Sequence, residues 1–478
     1  MSWQAKIFIK YRLFEKGVKI ISDYTGLLVH PEFLNFLAQE NKPVAFVNSA
    51  PEILENMNVS DCLIIGIKIH VPAFISNKNE VIVFNYSNIP LNGNTQLLSA
   101  YSPIENIELL NYLQIKQPHA VISEQLLTEL IPQVRERVKI GQLNSLTNRI
   151  YQLLQEPVST DNIFNISRLW AELQYKSYQL NHQDYIKITR EIDQYCNPYF
   201  ENGLWQEAFY APASNPKTVE KIILKIKQDK AVKKALLCFD CMGLPEWLLL
   251  KEFLNEENYT FEETLVFSLL PSITSIARSA IFAGTYNVYN KKNPGQSAEE
   301  KDLKLLFGEK DTVYLREKDY TGSDSFIGYN TVSILFNFFD DLSHAAQIQD
   351  SNLTKFGYYN SVVDYLKNSR VKQIVTDLIH QDFVIYICSD HGSTIAKGNG
   401  KNIDKYLQDK FAKRGTIISK DSSILLEHKK IMIPFIDDKL VVIPENKEMF
   451  AEKNKYEINH GGISIDEMVV PFVKLVKR

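Results

Sequence analysis

Continuous apolar runs, rather than alternating ones, mark the second half of the chain. Residues 235–240 read Ala-Leu-Leu-Cys-Phe-Asp and residues 265–270 read Leu-Val-Phe-Ser-Leu-Leu. Residues 334–339 read Ile-Leu-Phe-Asn-Phe-Phe, 383–388 read Phe-Val-Ile-Tyr-Ile-Cys, and 469–473 read Val-Val-Pro-Phe-Val. Segments with helical spacing separate several of these runs, after an amphipathic, lysine-rich helix over 219–231. Strands that are apolar on both faces and alternate with helices predict a mostly parallel sheet flanked by helices. The polar stretch 392–421, with Gly398-Asn-Gly and many lysines, predicts an excursion above that sheet.

The first half reads differently. Short β-rich runs at 6–10, 18–22, 44–48, 62–67 and 81–85, with short helices at 31–39 and 51–57, predict a small α/β domain over residues 1–103. It has no G-x-G-x-x-G and no acidic pair at the end of its first strand, which disfavours a dinucleotide or phosphoacceptor role. From 104 to 215 strand-like runs disappear. Helical spacing at 122–139, 141–155, 165–180 and 185–195 predicts a helical connector, with Trp205 and Phe209 packing it against the third domain, residues 216–478.

Composition narrows the class. Of 478 residues, 45% are apolar and 23% charged, as in ordinary globular chains, so a disordered or low-complexity chain is excluded. Lys plus Arg is 53 and Asp plus Glu is 57, so the net charge of −4 gives no global signature of nucleic-acid binding. Five cysteines, an odd and sparse set, speak against a disulfide framework and for a reducing cytoplasm. The first residues lack the apolar region of a signal peptide. The most apolar stretch, 265–284, contains Pro271, Arg278 and several hydroxyls and makes a poor membrane span, so a cytoplasmic protein off the membrane is expected.

The chemistry lies at the ends of the apolar runs. The first ends at Asp240, the second leads into Leu270-Pro-Ser-Ile-Thr274, and the third ends Phe339-Asp340-Asp-Leu-Ser-His344. The fourth ends Ser389-Asp390-His391, and Asn459-His460-Gly-Gly precedes the fifth. Ligands of open parallel sheets bind at the carboxyl ends of strands, so these residues are expected to converge. Carboxylate, imidazole and a hydroxyl suit divalent metal, and three Asp, three His and one Thr would serve two ions. Alone, each Asp reads as a turn or cap residue and Thr274 as the cap of the helix that follows. His30, His70, His119, His182, His380 and His428 lack an acidic strand-end context and read as structural.

Taken together, the set resembles the alkaline phosphatase superfamily, and within it the PglZ domain. The resemblance rests on Phe239-Asp240, Leu270-Pro-Ser-Ile-Thr274 with 280–284 following, Asn337-Phe-Phe-Asp340-x-x-x-His344, Ser389-Asp390-His391-Gly392, and His460-Gly-Gly-Ile-Ser-Ile-Asp-Glu-Met-Val-Val-Pro471. It covers about residues 216–478. It implies one metal held by Asp240, Thr274, Asp390 and His391, and a second held by Asp340, His344 and His460. Zinc is the expected metal, with manganese an alternative. The family spacing, an acid four residues before the histidine, favours Asp340 over the adjacent Asp341. The resemblance further implies Thr274 as nucleophile, a phospho-threonine intermediate, and a phosphodiester substrate such as a nucleotide or nucleic acid. PglZ domains occur in phage-defence systems and in some response regulators; the receiver phosphorylation site of the latter is missing here.

Two other readings stay open: a phosphomonoesterase or phosphoglycerate mutase-like enzyme, and a non-catalytic scaffold that uses metal for stability. Residues 1–215 are expected to position substrate, regulate access or bind a protein partner. Arg278, four residues after Thr274 on one helix face, serves either a substrate phosphate or a structural salt bridge. Cys238 and Cys241 read as small buried residues, because a zinc knuckle needs a second pair. Residues 464–467 contain a capping-box pattern, but a turn into a strand is the favoured reading. Lys397, Lys401, Lys405, Lys410, Lys413 and Arg414 form either a basic rim that attracts phosphate-rich substrates or a solvated surface.

Overall fold

The computed structural model describes the chain apart from residues 60, 183–187, 256–258, 291–294, 347, 349–353, 402–411, 421–427, 435, 437 and 478. It divides into two compact units, Met1–Asn144 and Ser145–Arg478, the division falling within the helix Glu124–Leu153. That helix joins the separately expected segments 122–139 and 141–155, because one interior glycine costs only about 1 kcal/mol and does not stop a helix.

The first unit contains a four-stranded parallel sheet, ordered Val44–Phe46, Cys62–Ile67, Val18–Asp23, Glu80–Phe84. The run 6–10, expected as a strand, is instead part of the helix Trp3–Lys10. Ser2 caps it by accepting a hydrogen bond from the Ala5 N–H, and Trp3, Ile7 and Phe8 are buried, so the apolar spacing follows the helical period.

The second unit is built on a six-stranded sheet. Its order is Tyr259–Phe267, Val469–Lys477, Val384–Ser389, Lys234–Phe239, Thr331–Phe336, Thr312–Arg316. Only Val469–Lys477 runs against its neighbours, so the sheet is largely parallel. Helices cover it, and residues of both parities on the central strand, Leu236, Leu237, Cys238 and Phe239, are buried. This is why the strands read as unbroken apolar runs. Cys238 and Cys241 are buried free thiols. Edge strand Thr312–Arg316 was not anticipated; it is half-buried and carries two polar residues in five. The run 334–339 splits: its strand ends at Phe336, and Phe338–Ala345 is a helix.

The stretch expected as an excursion contains two further strands. Thr394–Gly398 pairs antiparallel with Tyr456–Asn459, and Thr416–Ser419 pairs with Lys439–Ile443. Phe209 is buried against Tyr286, with ring centroids 5.0 Å apart. Among the described residues, no helix is long and apolar enough to cross a membrane.

One buried ion pair locks the C-terminal turn. Arg414, considered above for a basic rim, is 2% exposed and donates from Nε to Glu467 Oε1 at 2.9 Å. Glu467, fully buried, also accepts from the Gly462 and Ser464 N–H groups and the Ser464 hydroxyl. Burial raises the Glu467 pKa, but Arg414 and these hydrogen bonds outweigh it and hold the carboxyl below its ordinary value. The capping box therefore does form, around the one-turn helix Ile465–Met468 that leads directly into the last strand. Lys405 and Lys410 lie outside the described residues. Removing one member of such a pair strands a buried charge, so Arg414→Met should cost about 3–5 kcal/mol. The double variant Arg414→Met/Glu467→Leu should recover much of that loss, as read from urea unfolding midpoints.

Candidate metal centre

The site forms where the chain leaves the carboxyl ends of the central strands. Asp240 follows Lys234–Phe239 and is buried, and the chain turns away directly after it at Cys241, whose φ is +65°. Asp390 and His391 follow the neighbouring strand Val384–Ser389. The Cys241 and His391 N–H groups both donate to Asp390 Oδ1, at 3.2 and 3.0 Å, which ties the two strand ends together. Gly392 comes next, and a Cβ there would sit 2.0 Å from the Asp466 carbonyl oxygen; only glycine permits this close approach. Asp240, Asp390 and His391 place ligand atoms within 4.8 Å of one another.

Thr274 opens the helix Thr274–Ala283. Ile273, not Thr274, is its N-cap residue, so the threonine side chain is released from capping. Its Oγ1 lies 3.0 Å from His391 Nε2 and 3.3 Å from Asp240 Oδ1. The hydroxyl thus rests against the first group, at the positive end of the helix dipole.

The second group comprises Asp340, His344 and His460. Asp340 and His344 share one face of the helix Phe338–Ala345, an i, i+4 pair with His344 Nε2 3.1 Å from Asp340 Oδ1. Helical geometry, not a strand end, explains their spacing of four. His460 Nε2 is 3.6 Å from the same carboxylate oxygen. Asp341 stays outside the group. The two groups adjoin, since the His391 and His460 rings stack with centroids 4.2 Å apart. All seven residues expected from the sequence therefore meet.

The histidines are oriented by backbone carbonyls. His391 Nδ1 lies 3.2 Å from the Gly392 carbonyl oxygen, and His460 Nδ1 lies 3.1 Å from that of Ser272. A carbonyl can only accept, so each Nδ1 carries the proton and each Nε2 presents a lone pair to the site. Ser272 makes a second tie: its hydroxyl donates to the Gly462 carbonyl and accepts from the Gly461 N–H. Gly461 itself has a φ of +109°. The loop that delivers Thr274 is thus joined to the loop that delivers His460.

Burial separates the titrations of these groups. Desolvation, then repulsion from Asp390, pushes Asp240 up to about 7 despite the Arg278 charge. Desolvation pushes Asp390 up to about 6, again opposed by Arg278. Desolvation and the neighbouring His391 push His460 down to about 4, keeping it neutral. Burial also acts to raise Asp340, but the hydrogen bond and charge of His344 outweigh it and hold it at about 2. Asp390 Oδ2 and His460 Nε2 are buried with no hydrogen-bond partner among the described residues. Such orphaned atoms each cost about 1–3 kcal/mol. Two divalent cations, one per group, fit this donor set of oxygen and imidazole nitrogen.

Arg278 takes the structural role of its two expected alternatives. Its Nη1 pairs with Asp240 Oδ2 at 2.5 Å and its Nε donates to Glu299 Oε1 at 3.1 Å. Tyr314 donates its hydroxyl to Glu299 Oε2 at 2.7 Å. Sequence reasoning missed Glu299 and Tyr314, which sit in an ordinary charged helix and on the unanticipated edge strand, and it missed Ser272. None of the three carries a spacing signal.

The family model described as the BREX system PglZ alkaline phosphatase-like domain matches residues 218–475, more than half of the chain. None of the curated proteins matches in sequence. Among solved structures, murine ectonucleotide pyrophosphatase/phosphodiesterase 5 is 11% identical, with 50% of this chain and 87% of that chain covered and a TM-score of 0.33. The human protein is 12% identical with a TM-score of 0.32 over the same shares. An inactive variant of the murine protein in complex with AMP is 10% identical with a TM-score of 0.33, also over 50% and 87%. On the family match and the largely parallel fold beneath it, the chain belongs to the PglZ family of alkaline phosphatase-like domains and is a phosphoric ester hydrolase.

Proposed function

We propose that this protein is a two-metal phosphodiesterase that opens its ester through Thr274. The observation that carries the reading is the Thr274 hydroxyl, at a helix N-terminus, 3.0–3.3 Å from His391 and Asp240, with the second acid–histidine group stacked alongside. In this reading Asp240, Thr274, Asp390 and His391 hold one cation and Asp340, His344 and His460 the other. Zinc suits the donors, with manganese the alternative. The cations supply charge neutralisation for the phosphoryl group and lower the pKa of bound hydroxyls.

The chain's own residues do the rest. The backbone-fixed tautomers of His391 and His460 aim both Nε2 lone pairs inward without cost at the moment of reaction. The helix dipole favours negative charge at the Thr274 oxygen and at a phosphate beside it. Thr274 Oγ1 attacks phosphorus, the bond to the leaving ester oxygen breaks, and water later cleaves the phospho-threonine. Arg278 is committed to Asp240 and Glu299, so its guanidinium is spent on the protein's own carboxylates. That supports a singly charged diester over a doubly charged monoester. The ester in this reading is a nucleotide or nucleic acid, and the BREX system named in the family description supports a setting in phage defence.

The test compares wild type with Thr274→Ala and His460→Ala on bis-p-nitrophenyl phosphate and p-nitrophenyl phosphate, alongside metal analysis. Diester turnover should fall at least about a thousandfold in Thr274→Ala, with both metals retained. Monoester turnover alone would move the assignment to a phosphatase. Full activity in Thr274→Ala would remove the threonine from the chemistry.

Metal binding should also release protons from the first group. Asp240 and Asp390 have folded pKa values raised to about 7 and about 6 from an ordinary 3.8. Their stabilisation of the metal-free fold is complete below that ordinary value and is lost as pH rises through 6–7. A cation needs both carboxylates ionised. Manganese affinity and the metal-induced gain in Tm should therefore both increase from pH 5.5 to 7.5, with proton release measured by calorimetry in buffers of different ionisation enthalpy. A flat profile would contradict this account.

A further inference from the structure

The ribbon formed by Thr394–Gly398 and Tyr456–Asn459 has two faces. Glu457 pairs with Lys413, and its charge reaches His344, so that side looks toward the metal centre. Tyr456, the next residue back, points to the opposite face of the strand. There it lines a cavity of about 470 Å³, within the range of small-molecule sites.

The cavity has a fixed wall, a neutralised floor and a charged rim. Trp170 donates its indole N–H to Asp466 Oδ1 at 2.7 Å, and Gln174 donates to the same oxygen at 3.0 Å, so the indole is held in place. Trp170, Ile395 and Tyr456 supply apolar and aromatic surface. On the floor, Lys447 lies 2.8 Å from Asp466 and 3.5 Å from Asp193, leaving those charges largely answered. At the rim, Arg190 and Lys397 are exposed and, among the described residues, neither is in an ion pair. Lys397 Nζ sits 5.6 Å from the centroid of the Tyr456 ring, beside the aromatic surface.

An occupant must therefore combine a flat ring with an anionic group. The ring stacks on rigid aromatic surface at low entropic cost, and the anion meets two uncommitted cations. A simple anion would leave the apolar wall unused, and an uncharged ring would leave the rim unused. We propose that this cavity is a second ligand site, separate from the metal centre, and that it takes a nucleotide, base against Trp170, Ile395 and Tyr456 and phosphate at Arg190 and Lys397.

The test uses full-length protein stripped of metal with EDTA, so that the metal centre is disabled as a phosphate site. AMP, adenosine and inorganic phosphate are titrated by calorimetry, with tryptophan fluorescence as a second readout. AMP should bind, with adenosine and phosphate each at least about tenfold weaker. Thr274→Ala should leave AMP binding unchanged, because the site does not use the esterase machinery. Arg190→Ala/Lys397→Ala, which alters only exposed side chains, should weaken AMP at least about tenfold with an unchanged Tm. The proposal is overturned if millimolar AMP fails to bind the metal-free protein, or if the rim variant binds AMP as tightly as wild type.

Discussion

Burial of six ionisable side chains in one small volume is the constraint on which the rest of the second unit depends. Asp240, Asp390, His391 and His460 are each at most 4% exposed, and Asp340 and His344 lie at the same centre. Without water, like charges cannot be screened and lone pairs cannot be satisfied by solvent. The arrangement answers this in two ways. Arg278 lends a positive charge to Asp240, and protonation is eased at Asp240 and Asp390 by their raised pKa values. What is left over, the bare Asp390 Oδ2 and His460 Nε2, is the demand that cations meet.

A second ring of buried charge holds the loops that make this centre. Lys355 donates to Glu246, to the Ser393 carbonyl and to the Ser393 hydroxyl, bracing the turn after His391. Arg414 and Glu467 brace the turn after His460. Glu246 and Glu467 are both fully buried, and each has a cation in direct contact. Buried pairs of this kind add little net stability, yet breaking one is costly. Their effect is that few alternative loop paths are tolerable, which is what a site built from five separate segments requires.

The sequence made the centre legible because the chemistry sits at positions the fold repeats. Acids at the ends of continuous apolar runs announce both the parallel sheet and the rim where ligands gather, and all seven expected residues meet there. Legibility failed where local and tertiary signals compete. Residues 334–339 are apolar except for Asn337, and one polar residue does not reveal that the strand stops at Phe336 and a helix carries Asp340 and His344. Residues 6–10, Lys-Ile-Phe-Ile-Lys, are a short β-rich run, but Trp3, Ile7 and Phe8 choose the helical face. Arg414 lies among surface-like lysines and becomes buried only because Glu467, more than fifty residues later, receives it. The Arg278–Glu299–Tyr314 chain and the cavity behind the ribbon are made by contacts between elements distant in sequence, which periodicity does not encode.

The same distance in sequence is what lets the ribbon relate two sites. Thr394 begins three residues after His391, and Asn459 directly precedes His460, so the strands that wall the cavity end in ligands of both acid–histidine groups. Thr394 also donates its hydroxyl to Asp466, the residue that holds Trp170 and Lys447. Asp466 further contacts Gly392 through its carbonyl oxygen, at a spacing with no room for a side chain. A ligand that drew Lys447 or Trp170 toward itself would therefore pull on a carboxylate packed against the His391 turn. Linkage makes any such coupling reciprocal: whatever factor a nucleotide in the cavity applies to metal affinity, metal at the centre applies to nucleotide affinity.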